Sequence, residues 1–378
     1  MDALRYRIVA AVLGVVALIS LLVAQTASTS AQTGYPPPDS IQATPGSGSH
    51  RVRMPLIARN IPAYASISYY VGSTNPVDIR PMAQSLATTT LSSPDPKKWV
   101  VILSFCNPGV NGGQQGAYLC RNKGFVTTSG AANIAVEFAN TWRNQIGSRP
   151  NDRLVIVLGV NNYSSYTTAH GAAWATARAQ ARATVTDTRV NFVGGMDAEV
   201  EWNTDLNHAA GTIAWLNAYM NGANNCVPGS GGGACFYNFG DANCGYGATN
   251  NPCGYKDWDK DDIWYLSAGA KRPGDAQPFA AALPLIYNTV GNNARQWQAV
   301  SQYGATTAGK RVVYFIGPVS SLGACDQTDP LPRDSGNCLG IDNSNPTAYW
   351  QLYAWLATNP STFQQMNWGT DIKYQVFP

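Results

Sequence analysis

Short apolar runs alternate along the chain with longer stretches in which apolar residues return every three or four positions. The runs at 99–105, 154–160, 190–199, 235–239, 263–266, 283–287 and 312–316 have strand length and are rich in β-branched and aromatic residues. The Ala-rich segments at 131–146, 169–184, 209–220 and 294–303 have helical spacing. Strands apolar at nearly every position are buried on both faces, and helices between them supply the crossovers that parallel strands need. Seven or eight such units in roughly 300 residues favour an α/β fold of the (β/α)8 TIM-barrel type over a doubly wound sheet. One such domain is expected over residues 62–378, with no internal repeat.

In a barrel of this kind, chemistry gathers where the strands end. The predicted strands run out into Ser104-Phe105-Cys106-Asn107-Pro108, Asn161-Asn162-Tyr163, Asn238-Phe239-Gly240-Asp241, Ser267-Ala268-Gly269 and Tyr287-Asn288, which together describe a polar rim. The sharpest signal is Val193-Gly194-Gly195-Met196-Asp197-Ala198-Glu199-Val200-Glu201-Trp202, in a chain only 12% charged. If the strand continues, Asp197, Glu199 and Glu201 share one face, and Ala198, Val200 and Trp202 the other. Three like charges repel, a cost accepted where they bind a cation, line a wet cleft or keep one carboxyl protonated for acid catalysis. The plainer alternative is the exposed end of an edge strand, but the flanks are small and apolar rather than the lysines that soften an edge. Glu199, Asp197 and Glu201 are therefore the candidate catalytic residues. Trp202, Asn161, Asn162, Asn238, Asp241 and Tyr287 are the candidate substrate contacts.

The N-terminus has Arg5 and Arg7, an apolar run over 8–24 and a small polar stretch through Ala31, the layout of a signal peptide over 1–31. A membrane tether is expected only if that segment stays uncleaved. Residues 32–61, rich in Pro, Gly and Ser at their start, read as a linker. Export makes disulfides the default for the eight cysteines, and close spacing suggests four local staples over loops: Cys106 with Cys120, Cys226 with Cys235, Cys244 with Cys253, and Cys325 with Cys338. A zinc site has no Cys-x-x-Cys and no paired histidines to work with. The formal charge of +3 is unclustered, which argues against a nucleic-acid partner. Eleven Trp and 19 Tyr modestly raise a carbohydrate hypothesis, since flat amphipathic rings stack on sugars as well as fill cores.

Other motifs carry less. Asp257-Trp258-Asp259-Lys260-Asp261-Asp262 fails as a calcium loop, with Asp262 where glycine is needed, and reads as a solvated turn before a strand. The Gly229–Gly233 run opens no helix, so no nucleotide site is assigned and no cofactor is expected. There is no Gly-x-Ser-x-Gly elbow. His170 and His208 read as surface or helix-end residues. Asn162-Tyr163-Ser164 matches a glycosylation sequon, a short pattern that arises often by chance.

The runs Val155-Ile156-Val157-Leu158-Gly159-Val160-Asn161-Asn162, Asp197-Ala198-Glu199, Ile263-Trp264-Tyr265-Leu266-Ser267 and Leu283-Pro284-Leu285-Ile286-Tyr287 resemble a group of secreted, largely uncharacterised bacterial proteins. These in turn resemble glycoside-hydrolase barrels of the family 25 lysozyme kind. That resemblance implies an Asp-x-Glu strand supplying the acid/base glutamate, here Glu199 with Asp197 beside it. Family 18 chitinases, with Asp-x-Asp-x-Glu at a strand end, are a second resemblance and would make Glu201 the acid. One position departs: family 25 brings an aspartate on its first strand, whereas the first strand expected here offers Ser104.

The expected function is thus a secreted glycoside hydrolase acting on β-linked amino-sugar polymers such as peptidoglycan or chitin, its partner a polysaccharide of the cell wall. Two alternatives differ in class. One is a non-catalytic carbohydrate- or wall-binding barrel. The other is a surface component whose acidic trio binds calcium.

Overall fold

The computed structural model describes residues 64–120, 124–163, 167–202, 209–223, 234–243, 245, 257–273, 275, 280–327, 338, 340–366 and 369–375. All lie in the unit Arg51–Pro378. The signal segment, the linker, His50, His208 and the Gly229–Gly233 run fall outside the described residues.

In chain order the elements begin β1 (Tyr64–Tyr70), α1 (Arg80–Leu91), β2 (Lys98–Ser104), β3 (Asn107–Asn111), β4 (Gln114–Tyr118), β5 (Phe125–Thr127), α2 (Thr128–Ile146), β6 (Arg153–Asn161), α3 (Thr168–Thr184) and β7 (Val190–Asp197). They continue with α4 (Ala209–Gly222), β8 (Phe236–Asn238), α5 (Lys260–Trp264), β9 (Ala280–Ala282), α6 (Asn292–Thr306), β10 (Val319–Ser320), α7 (Leu322–Gln327), α8 (Asn345–Ala357) and β11 (Thr370–Tyr374). Eight strands form one parallel sheet in the order β10-β11-β1-β2-β6-β7-β8-β9.

This is an α/β fold with a curled parallel sheet, not the continuous closed barrel expected. Between β9 and β10 only isolated parallel bridges occur, Ala282 with Phe315 and Leu285 with Val319. Pro284 and Pro318 stand in this stretch, and each removes a backbone donor that a full ladder would use. The run at 312–316 accordingly contributes a single bridge rather than a strand.

Alternation along the strands builds two cores. One face of the sheet, with Leu103, Ile156, Leu158, Phe192 and Met196, packs against the helices through Trp142, Trp174 and Trp215. The opposite, inner face is filled by Val100, Ile102, Val155, Val157, Val193, Tyr237, Leu283 and Ile372. The Gly194-Gly195 pair serves both faces. A Cβ on Gly194 would lie 2.4 Å from the Tyr219 ring outside, and one on Gly195 would lie 2.9 Å from Phe239 inside.

Two more regions differ from the expectation. Residues 263–266 are not a strand but the end of α5 and a following π turn, Tyr265–Gly269. The acidic segment before them is a capping box, in which Asp259 accepts from the Asp261 and Asp262 backbone N–H groups while Asp262 accepts from Asp259 N–H. His170 does lie in the first turn of α3, but it is buried rather than at the surface.

A three-stranded antiparallel sheet, β3-β4-β5, interrupts the β/α alternation after β2. Its first hairpin turns through Gly112-Gly113, both at positive φ, as a two-residue loop requires. The Cys106–Cys120 disulfide closes its base, and Cys325–Cys338 staples the segment after α7. These are two of the four expected staples. Cys235 is also disulfide-bonded, but Cys226, Cys244 and Cys253 lie outside the described residues.

Candidate functional site

Along the inner face the apolar fill gives way to polar residues at the C-terminal strand ends. By parity with Val193 and Gly195, Asp197 closes β7 pointing inward, and it is 1% exposed. The strand stops there. Glu199 follows in irregular backbone, and Glu201 lies in a 3-10 turn, Val200–Trp202. The expectation that Asp197, Glu199 and Glu201 share one strand face therefore fails.

The interruption has a local cause. The Asn162 side chain, past the end of β6, accepts from Glu199 N–H at 3.0 Å and donates to the Glu199 carbonyl at 3.0 Å. This two-bond clamp replaces a strand ladder with a side chain. On the other side, Asp241 N–H donates to the Ala198 carbonyl, and Gly240 packs so closely on Ala198 that a Cβ would meet its oxygen at 2.0 Å. The chain is gripped from both neighbours as it turns.

These grips bring Asp197, Glu199 and Asp241 together as three buried carboxyls. Tyr287 O–H donates to Glu199 Oε1 at 3.2 Å. Asp241 Oδ1 accepts from Val200 N–H at 3.4 Å. Burial, and then the Asp241 charge, push Asp197 well above the usual carboxylate range. Glu199 is pushed up by burial, then by Asp197 and Glu201, against a smaller opposing effect of the Tyr287 hydroxyl. Asp241 is raised by burial and by Glu199 and Glu201. A cluster so placed retains protons where an exposed carboxyl would lose them.

Glu201 is exposed at the edge of the cluster, where its side chain hydrogen-bonds to that of Asp241 and its Oε1 accepts from the Asn243 amide. Asn161 lies at the end of β6, and its amide donates to Asn107 Oδ1 at 2.7 Å, tying the β3 hairpin to the site. Asn238 is one step further from the rim, where it donates to Ser267 Oγ and accepts from Gly240 N–H. Asn162 is wholly buried and its amide is spent on Glu199, so the sequon offers no accessible acceptor in the folded chain. Trp202 ends the 3-10 turn, and its side chain lies outside the described residues.

Tyr70 and Tyr374 are new members. The apolar runs predict no strand before residue 99, yet β1 precedes them, and its inward last residue, Tyr70, feels the charges of Asp197 and Glu199. Its ring lies 5.1 Å from that of Tyr374 at the end of β11. The signal was present in the alternating Ser66-Ile67-Ser68-Tyr69-Tyr70, hidden by its closeness to the linker. Ser104, expected on the first strand, belongs to the second; the strand before it ends in Tyr70, not in an aspartate.

No protein-family model matches the chain. No curated protein matches it. Among solved structures the chain is similar to a GH5-4 broad specificity endoglucanase from an uncultured bacterium, at 10% identity and a TM-score of 0.38, covering 77% of this chain and 76% of that one. A likeness at that score carries no argument, and the chemistry stands on the site alone.

Proposed function

We propose that the protein is a secreted glycoside hydrolase that cleaves β-linked amino-sugar polymers, of the peptidoglycan or chitin kind, by carboxylate acid/base catalysis. The observation that carries this reading is Glu199: a buried carboxyl at the C-terminal end of a parallel sheet, beside two further buried carboxyls and touched by a tyrosine hydroxyl. Glu199 holds a proton and gives it to the glycosidic oxygen as the bond from that oxygen to the anomeric carbon breaks. The positive charge left on the sugar ring is stabilised by Asp197 or Asp241 in ionised form, or by a substituent of the sugar itself. Water then supplies its oxygen to the anomeric carbon and returns a proton to Glu199. Tyr70, Tyr287 and Tyr374 offer flat faces and hydroxyls for the sugar. The two described disulfides fit an oxidising compartment outside the cytoplasm, and among the described residues no helix is long and apolar enough to cross a membrane.

The test is release of reducing ends from purified peptidoglycan and from chitin by the mature protein and by Glu199→Gln, which keeps the shape of the side chain and removes the proton. The variant is expected to lose a factor of about 10² to 10⁴ in turnover. Equal activity in variant and wild type, or no activity in wild type across a broad glycan panel, overturns the reading.

A further inference from the structure

The carboxylate site is richer in acceptors than in donors: the oxygens of three buried carboxyls stand against the Tyr287 hydroxyl, already given to Glu199, and the Ser104 hydroxyl. Asp197 Oδ1 is buried with no hydrogen-bond partner among the described residues. On β2, inward by parity with Val100 and Ile102, the Ser104 hydroxyl is buried and unpartnered as well. A buried polar atom left without a partner costs free energy, and a ligand that satisfies it recovers that cost on binding. The charged groups acting on Asp197 and Glu199 are themselves carboxylates: Asp241 on the first, Asp197 and Glu201 on the second. Tyr70, Tyr287 and Tyr374 border the cluster half-buried, and tyrosine ring faces attract cations.

A group complementary to these surroundings brings several donors and a positive charge in a small volume. An ammonium has three donors and no acceptor. An acetamide brings one N–H and no charge, so it satisfies fewer of the carboxyl oxygens than an ammonium does. Among the described residues no group of three His, Cys, Asp or Glu is placed to hold a metal ion, which favours an organic cation. We infer that the site beside Glu199 takes an amino sugar whose amine is free, its ammonium seated against Asp197 and Asp241, in preference to the N-acetylated sugar. This rests on the hydrolase reading for its choice of a sugar. The ammonium is not consumed: the bond broken is still the glycosidic one, and the positive charge favours the ionised form of Asp197, which balances it, while Glu199 keeps its proton for the leaving oxygen.

The experiment titrates the mature protein, by calorimetry, with short glucosamine oligomers and with N-acetylglucosamine oligomers of equal length, and follows reducing-end release from both. Tighter binding of the glucosamine series is expected, by roughly ten- to a hundredfold, with the preference lost in Asp197→Asn or in Asp241→Asn. The chain's own charge of +3 works against unspecific attraction of a polycation. Circular dichroism checks that each variant folds, and the wild-type preference stands as a readout even where a variant does not. Equal or tighter binding of the N-acetylated series overturns the inference, as does a preference that survives in both folded variants, or calcium ions that displace the glucosamine oligomer. Cleavage of N-acetylated oligomers alone defeats this inference and leaves the hydrolase reading standing. Asp197-dependent glucosamine binding without any cleavage supports the inference and defeats the hydrolase reading.

Discussion

Two buried titratable clusters sit on opposite faces of the same sheet, and they are built differently. Between the helices, His170 accepts at Nδ1 from the Trp215 indole N–H at 2.8 Å, so its Nε2 carries the proton and donates to the Gly116 carbonyl at 2.7 Å. The ring stacks on Trp174. Both nitrogens are used, and burial pushes the imidazole down to about 4, where it stays neutral. On the inner face, Asp197, Glu199 and Asp241 are equally buried, yet Asp197 Oδ1 has no partner among the described residues and the neighbouring charges are of one sign. A satisfied buried network stiffens a fold, and an unsatisfied one stores free energy that a ligand or a proton transfer can use.

The largest separation between the clusters should come from paired substitutions. Glu199→Gln is expected to remove two or more orders of magnitude of activity with no loss of melting temperature. Asp197→Asn should raise stability at neutral pH, because an amide cannot ionise among carboxylates. Loss of stability in Asp197→Asn at neutral pH would show that its carboxyl is satisfied after all. His170→Ala should do the reverse of Glu199→Gln. It opens a cavity and strands the Trp215 N–H, at a cost of about 2 to 4 kcal/mol by denaturant titration.

The pH dependence separates the two by sign. His170 has a folded value near 4 against 6.5 when unfolded, so the unfolded state binds more protons between those values. Its contribution is complete above pH 6.5 and falls away as the pH drops toward 4, a loss of roughly 3 kcal/mol at most. The site carboxyls are raised, so the folded state holds their protons longer, and stability is lost as pH rises above the ordinary carboxylate range. Thermal melts across pH 4 to 8 should therefore show a steeper rise with pH in Asp197→Asn than in wild type, and a flatter one in His170→Phe. Parallel curves in all three proteins would break the comparison.

The two faces also differed in how far the sequence disclosed them. Helices α2, α3, α4 and α6 were legible to within a few residues, because spacing on an amphipathic helix is set by the wall it packs against. The central strands β2, β6 and β7 were legible for the same kind of reason, each apolar on both faces. The sequence makes Asp197, Glu199 and Glu201 conspicuous, but it does not disclose that Asp241 rather than Glu201 is the third buried carboxyl. Alternation predicts a shared face only while the strand lasts, and nothing local to residues 197–201 announces that Asn162 and Asp241 end it. Ile263-Trp264-Tyr265-Leu266 looked like a strand through its bulky residues, while the capping box at Asp259 and Asp262 was the better guide. The β3-β4 hairpin was announced only by its Gly112-Gly113 turn, with no alternating apolar run to support it.

Asn162 crosses the division between the faces, since it is a fully satisfied buried amide in the middle of the unsatisfied site. It touches neither Glu199 Oε1 nor Oε2, and it acts on the backbone as a positioning residue. Asn162→Ala removes both bonds and leaves the Glu199 N–H and carbonyl to find other partners, for about 1 to 3 kcal/mol of stability. The effect on activity should be smaller than that of Glu199→Gln and should fall on turnover rather than on KM, because the acid is displaced while the sugar contacts remain. Asn162→Asp restores the acceptor for Glu199 N–H but not the donor to its carbonyl, and its added negative charge should raise the proton affinity of Glu199 further. Its activity profile should then shift to higher pH relative to wild type. A variant that lost stability while keeping wild-type turnover and pH profile would make Asn162 a structural residue only, as satisfied and as remote from the chemistry as His170.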